Sequence, residues 1–336
     1  MLSIGNLTFS SSLVLSPLSG ISDLPFRLLN RSFGCGLAYT EMLGASALAN
    51  KNRSTLKKLS TAVNDRPLGV QILGGGSEII KRALETVSEY DFDLIDFNAA
   101  CPVKKVASRG KGAGLLRELS KLHELLKVII ANTDVPVTVK IRTGWDETSV
   151  NAVETAISAE DAGVSGLFIH GRTRSQRYSG NVDYQVIREV KEALKIPVIA
   201  SGDALSPVLI KKLFDETGCD GVAVARGALG NPWIFSETSE YLEKGTMLSR
   251  PDIHDIVRIM KEHLTSNIEF HGEKLGVILF RKFFGWYARG MSIKELKSRA
   301  FCADTAVDML KLIDEMEEVA HISGLTGESE IQQYFR

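Results

Sequence analysis

Short β-rich runs alternate with amphipathic stretches of helical length from the N-terminus to about residue 235, the pattern of βαβ units wound about a parallel sheet. Apolar and β-branched runs predict strands at 12–15, 37–40, 68–73, 93–97, 137–141, 166–170, 198–200 and 221–225. Between them the apolar residues of 78–90, 120–132, 150–162, 184–194 and 207–216 recur at helical spacing. Eight strands with their helices in roughly 235 residues match an α/β protein of the (β/α)8 TIM-barrel class. A doubly wound open sheet is the alternative, because strand count does not prove closure.

After about residue 245 the strands stop. Helical spacing continues through 253–270, 275–289, 293–298 and 303–322, and Arg250-Pro251 marks a junction. The expected organisation is a barrel domain over 1–245 and an all-helical domain over 246–336. Between 281 and 299 this tail carries Arg281, Lys282, Arg289, Lys294, Lys297 and Arg299 against Glu295 alone, interleaved with Phe283, Phe284, Trp286 and Tyr287. Such a stretch reads either as an amphipathic helix with aromatics in the core and solvated cations, or as an RNA-backbone patch.

Composition narrows the class. The 336 residues are 44% hydrophobic and 24% charged, enough for a large core and too little biased for disorder. Forty basic residues against forty-one acidic give a net charge of -1, so a polyanion partner must be met by a local patch. Cys35, Cys101, Cys219 and Cys302 are widely spaced without a CxxC, which suggests neither a disulfide framework, nor a thiolate metal site, nor any other metal. No run approaches the ~18 apolar residues of a membrane span, and the N-terminus lacks a signal-peptide pattern, so a soluble cytoplasmic protein is expected.

In a (β/α)8 barrel, chemistry collects where the strands end. Here the strand ends read Ser16-Pro17-Leu18-Ser19-Gly20, Thr40-Glu41-Met42, Gln71 before Gly74-Gly75-Gly76, and Asn98-Ala99-Ala100-Cys101-Pro102. They continue as Lys140 and Arg142, His170-Gly171-Arg172-Thr173-Arg174, Ser201-Gly202-Asp203 and Ala225-Arg226-Gly227. A lone His or Lys at a strand end is commonly structural; eight consecutive polar or glycine-rich ends point to a site. Glycines closing the last two strands suit phosphate, with Arg226 to neutralise it.

Asn98 to about Ser120 reads as a loop of roughly 20 residues, long for a βα connection. Lys104, Lys105, Arg109 and Lys111 stand in it without an acidic neighbour, as a cationic lid would, and Arg172, Arg174 and Arg177 extend a basic rim. Gly110-Lys111-Gly112-Ala113-Gly114 is neither a dinucleotide fingerprint nor a P-loop. Cys101, just past a strand end and before a proline, differs from the other cysteines, which read as small buried hydrophobes. A thiol there could donate a proton or act as a nucleophile.

Taken in order, these motifs resemble the tRNA-dihydrouridine synthase family, most closely its bacterial B-type members, over nearly the whole chain. The resemblance rests on Ser16-Pro17-Leu18-Ser19-Gly20, Asn98-Ala99-Ala100-Cys101-Pro102, Val139-Lys140-Ile141-Arg142-Thr143-Gly144, His170-Gly171-Arg172-Thr173-Arg174 and the run Arg226 to Trp233. Leu18 departs from the family's methionine, and Ser201 from its asparagine.

What the resemblance implies is an FMN-dependent, NADPH- or NADH-driven reduction of the C5–C6 bond of specific uridines in tRNA by a monomer with no membrane role. Pro17, Leu18, Ser19, Gln71 and Lys140 would surround the flavin ring, with His170, Ser201, Gly202, Asp203, Ala225 and Arg226 toward its phosphate. Hydride would pass from flavin N5 to uracil C6, and Cys101 would protonate C5. Asn98 and Arg142 would orient the base, while Arg172, Arg174, Arg281 and Lys282 would meet the RNA. A small-molecule FMN dehydrogenase of the dihydroorotate type is the alternative.

Overall fold

A computed structural model describes residues 1–322 of the chain. Its eight barrel strands are β1 (Leu13–Leu15), β2 (Leu37–Tyr39), β3 (Leu68–Leu73), β4 (Leu94–Asn98), β5 (Val137–Arg142), β6 (Gly166–His170), β7 (Val198–Ser201) and β8 (Gly221–Val224). All pair in parallel. β8 joins β1 through Val222 opposite Leu13, and β2 joins β3 through Ala38 opposite Leu68, so the ring closes and the open-sheet alternative falls. A two-residue strand, Leu43–Gly44, adds to the end of β3.

Every barrel strand is lined by buried β-branched or large apolar side chains, as expected of strands covered on both faces. Burying each such side chain contributes about 1.5–3 kcal/mol. One core cluster joins Val14, Leu37, Tyr39, Leu94, Phe168, Ile199 and Ala223 of the strands to Leu2, Ile4 and Phe9. The last three belong to an N-terminal hairpin, Ser3–Ile4 against Leu7–Thr8, which the sequence pattern did not show. Tyr39 lies across β3: a β-carbon on Gly69 would collide with its ring, so this position admits no side chain.

The boundaries of β3 and β6 fall where the pattern placed them, whereas β4, β5 and β7 each run one residue further and take in Asn98, Arg142 and Ser201. Those residues therefore lie in the hydrogen-bonded ladder, not in loops. The segment after Asn98 is not an open loop either. It folds into a helix, Lys104–Ala107, and a 3-10 helix, Gly112–Arg117, whose residues from Gly112 to Leu116 are buried.

The chain gathers into two compact units. The first is the barrel, comprising Met1–Arg27, Cys35–Ala204 and Leu209–Ala225. The second comprises Leu28–Gly34, Leu205–Val208 and, of the described residues, 226–322. Its helices are Ile234–Lys244, Ile253–His271, Glu273–Tyr287, Lys294–Ala300 and Ala306–Ile322. Phe280, Phe283, Phe284 and Tyr287 are buried there beside Met260, Leu264 and Met309. His263 packs against Phe283, with ring centroids 4.4 Å apart, and its Nδ1 lies 3.1 Å from the Tyr287 hydroxyl. Among the described residues no helix is long and apolar enough to cross a membrane.

Candidate active site

Register assembles the site. Gln71 of β3 stands opposite Asp96 of β4, Asn98 opposite Lys140 of β5, Arg142 opposite His170 of β6, and His170 opposite Ser201 of β7. Parallel pairing places residues of adjacent strands side by side, so one end of the barrel collects two amides, a carboxylate, a lysine, an arginine and an imidazole.

The polar groups are joined by short bonds. Gln71 Nε2 donates to Asp96 Oδ2 at 2.7 Å, and Asn98 Nδ2 donates to Gln71 Oε1 at 2.8 Å. Asn98 Oδ1 accepts from the backbone N–H groups of Ala100, at 3.0 Å, and Cys101, at 2.8 Å. This is the local turn that an asparagine side chain makes two and three residues ahead. Asp96 Oδ1 accepts from the Thr138 hydroxyl at 2.7 Å.

Burial raises the Asp96 carboxyl to about 6, against the lowering effect of its bonds to Gln71 and Thr138 and of nearby Lys140. Burial likewise pulls the Lys140 ammonium down to about 8, partly offset by Asp96, with Arg142 lowering it further. Lys140 Nζ donates to Ser201 Oγ at 3.1 Å, and that hydroxyl donates to the Ile169 carbonyl at 3.0 Å. Tyr39 is held neutral, its hydroxyl pushed well above the usual range by burial and then by Asp96.

Cys101 is buried at 8% exposure. Its carbonyl accepts from the Ala113 N–H at 3.1 Å, and Gly112, at φ +54°, passes close to it. Asn98 and Arg142, expected to orient a base, are already committed. Arg142 is buried and donates from Nε to Ala100 O at 2.8 Å and from Nη1 to the carbonyls of Thr173 and Arg177, both at 2.9 Å. Burial lowers its guanidinium to about 10. Both residues thus brace the turn that carries Cys101.

Two arginines expected to meet RNA, one on the basic rim and one in the helical tail, have partners within the chain. Arg172 is 2% exposed: its Nη1 donates to Asp203 Oδ1 at 3.1 Å, its Nη2 pairs with Asp203 Oδ2 at 2.5 Å, and it caps the Gly180 carbonyl, so it is an interior strut. Arg281 is bound to the Ala303 carbonyl at 2.9 Å and to Asp304 at 2.5 Å, so its charge is compensated within the helical unit. Arg299 is paired with Glu315, and Phe283, Phe284 and Tyr287 are core residues, as in the amphipathic-helix reading of the stretch. Lys282 Nζ lies 5.2 Å from the Phe283 ring centroid.

Other expected positions fall as follows. Arg174 and Arg117 both place a guanidinium on Trp145, 4.5 and 4.9 Å from its ring centroid. Pro17 and Leu18 are half-buried, Ser19 is exposed, and the neighbouring Ser16 hydroxyl is buried without a hydrogen-bond partner among the described residues. Gly202 and Asp203 adopt φ of 129° and 50°, while Ala225 follows β8 and Arg226 opens a 3-10 turn of the second unit. Asp96 was not anticipated. Its signal was an acid inside the otherwise apolar run Leu94-Ile95-Asp96-Phe97.

A family model described as dihydrouridine synthase matches residues 14–320. This chain belongs to the dihydrouridine synthase family. It is 39% identical over 298 residues to tRNA-dihydrouridine synthase B of Pseudomonas putida, covering 88% of each chain. It is also 39% identical over 292 residues to a probable tRNA-dihydrouridine synthase of Rickettsia conorii, covering 87% of this chain and 88% of that one. Among solved structures, a 2-naphthoyl-CoA reductase complex superposes with a TM-score of 0.58 at 13% identity. That match covers 71% of this chain and about half, 51%, of the longer reductase, and it shows the barrel fold shared by a dihydrouridine synthase and a distant protein.

Proposed function

We propose that this dihydrouridine synthase uses a flavin mononucleotide, reduced by NADPH or NADH, to reduce the C5–C6 bond of uridines in tRNA. The observation that carries this reading is the placement, by strand register, of Gln71, Asn98, Lys140, His170 and Ser201 at one barrel end, with Asn98 holding the Cys101 turn. The names of the relatives supply the RNA substrate.

The residues suit a flavin. Lys140 is a cation held at the strand end by a hydroxyl, Ser16 has a buried hydroxyl without a partner among the described residues, and Gly202 removes side-chain bulk from the turn after β7. Pro17, Leu18, Ser19 and Gln71 would flank the ring, and His170, Ser201 and Gly202 its ribityl side. When bound and reduced, the flavin supplies the hydride that C6 of the uracil takes up.

The rest is done by the chain. Lys140 offers positive charge to an electron-rich ring edge, where a half-buried cation acts more strongly than one in water. Cys101 holds its proton on Sγ and gives it to C5 as negative charge builds there, so that one hydride and one proton saturate the bond. Asn98, from its side-chain oxygen, and Arg142, from its Nε donor, hold the N–H and the C=O of the Ala100–Cys101 peptide. A uridine stacked in RNA cannot present C6 at the end of a barrel, so the base must leave its stack to react.

Mapping dihydrouridine in tRNA from cells with and without the gene tests the reading. Loss of modification at defined positions, restored by the wild-type chain, supports it. Unchanged tRNA, together with turnover of free pyrimidines, would instead support the dihydroorotate-type alternative.

A further inference from the structure

We propose that Asp96 is a positioning residue: its carboxylate sets the direction of a hydrogen-bond chain that runs through Gln71 and Asn98 and ends on the amide of Cys101. The inference rests on the reading of Cys101 as the proton donor.

The chain has two fixed ends. At one, the backbone N–H groups of Ala100 and Cys101 can only donate, so the group facing them must be the Asn98 oxygen. At the other, an ionised carboxylate can only accept, so the Gln71 group facing Asp96 must be its NH2. Between these ends lie two side-chain amides, each with one oxygen and one NH2. With Gln71 Nε2 on Asp96, Oε1 is left to accept from Asn98 Nδ2, and Asn98 Oδ1 is left for Cys101. The second Asn98 hydrogen is directed at Met42 Sδ, 3.3 Å away.

Reversing Gln71 would put two NH2 groups face to face unless Asn98 reversed as well. A reversed Asn98 would present a donor to the donors of Ala100 and Cys101, and the turn would lose its anchor. Buried polar groups left unpaired are costly, so the sense of the first amide is transmitted to the last. Thr138 gives Asp96 its second donor, across a bond of 2.7 Å from the next strand. All members are buried: Asp96 is 2% exposed, Gln71 1% and Asn98 6%, so water does not readily substitute for a lost partner.

The function of the carboxylate is therefore orientation. It need not touch a substrate, because the structure spends both of its oxygens on neighbouring side chains. The thiol proton can be delivered to one ring atom only if the turn carrying it is fixed, and that turn hangs from Asn98.

Selective 15N labelling of cysteine gives four backbone amide signals, from Cys35, Cys101, Cys219 and Cys302, whose hydrogen exchange can be followed without cofactor or RNA. Cys219 N–H bonds to Thr217 Oγ1 at 3.2 Å, away from the chain, and serves as the control for folding. In Asp96→Leu, Cys101 exchange should accelerate by at least about tenfold while Cys219 is unchanged. Asp96→Asn should stay close to wild type. Its oxygen can keep Gln71 in place while its NH2 meets the Thr138 hydroxyl, which can turn to the Ile95 carbonyl 3.5 Å away.

Unchanged Cys101 exchange in a folded Asp96→Leu protein would overturn the proposal. If Cys219 also loses protection in that variant, Gln71→Leu decides instead by cutting the chain one link later. Selective loss at Cys101 supports the proposal and unchanged exchange overturns it. Because neither readout requires turnover, failure here is distinct from failure of the proposed reaction. That reaction would fail separately, as absence of dihydrouridine formation by the wild-type protein.

Discussion

A β-carbon placed on Gly112 would lie 2.8 Å from the β-carbon of Cys101, and Gly112 itself sits at φ +54°. Only glycine meets both demands, close approach and left-handed backbone, without strain. Gly112→Ala should therefore destabilise the barrel unit by about 1–3 kcal/mol in urea unfolding. It should also depress dihydrouridine formation at a temperature where the protein remains folded, because Cys101 must move. Wild-type turnover in a folded variant would show that the thiol's position is not critical.

Lys140 gives a pH dependence. Its ammonium is lowered to about 8, so the cation is present below that pH and is lost as the pH rises through it. Binding of an anionic ring edge or phosphate beside it favours the charged form and is linked to proton uptake above that value. Flavin affinity measured by fluorescence quenching should fall above about pH 8, by up to about tenfold per pH unit. Lys140→Met should bind more weakly and flatten that pH profile.

Arg27 illustrates a purely structural charge. Fully buried, it pairs with Asp65 at 2.7 Å and donates to the carbonyls of Ser22, at 2.9 Å, and Ser60, at 2.8 Å. Arg27→Met would leave the Asp65 carboxylate buried without its cation, a change that costs about 3–5 kcal/mol. Chemical denaturation should show that loss. An effect below about 1 kcal/mol would mean that water replaces the guanidinium.

Lys104, Lys105 and Arg109 are exposed cations of the segment after Asn98, and none of the three forms an ion pair among the described residues. They are the cations best placed on this segment to meet RNA phosphates. Replacing all three by alanine should weaken tRNA binding and reduce the slope of log K against log salt by about 2. The unfolding free energy should change little. An unchanged salt slope would remove this segment from the RNA contact.

Much of the barrel was legible because its strands are long enough to show continuous apolar runs. β3 and β6 carry six and five buried or nearly buried positions, whereas each strand of the N-terminal hairpin has two residues and no period to read. The buried 3-10 helix at Gly112–Arg117 looked like a loop because Gly-Ala-Gly commonly marks turns; here the same smallness permits packing against Cys101. The cysteine, lysine and strand-end glycines of the site were visible as residue types at fixed places. Asp96 was not, since its meaning lies in partners on β3 and β5. Long-range pairing also escaped the pattern: no local signal joins Arg281 to Asp304, 23 residues on, with which it pairs.

The central claim is that Cys101 supplies the proton that completes uridine reduction. It is tested by single-turnover reaction of the reduced, flavin-loaded Cys101→Ala protein with unmodified tRNA, following dihydrouridine by mass spectrometry and flavin reduction by NADPH separately. Removing a positioned general acid typically costs 10²–10⁴-fold, so dihydrouridine formation should fall by roughly that factor while flavin binding and reduction stay at wild-type levels. Dihydrouridine formed at the wild-type rate by the alanine variant would contradict the account.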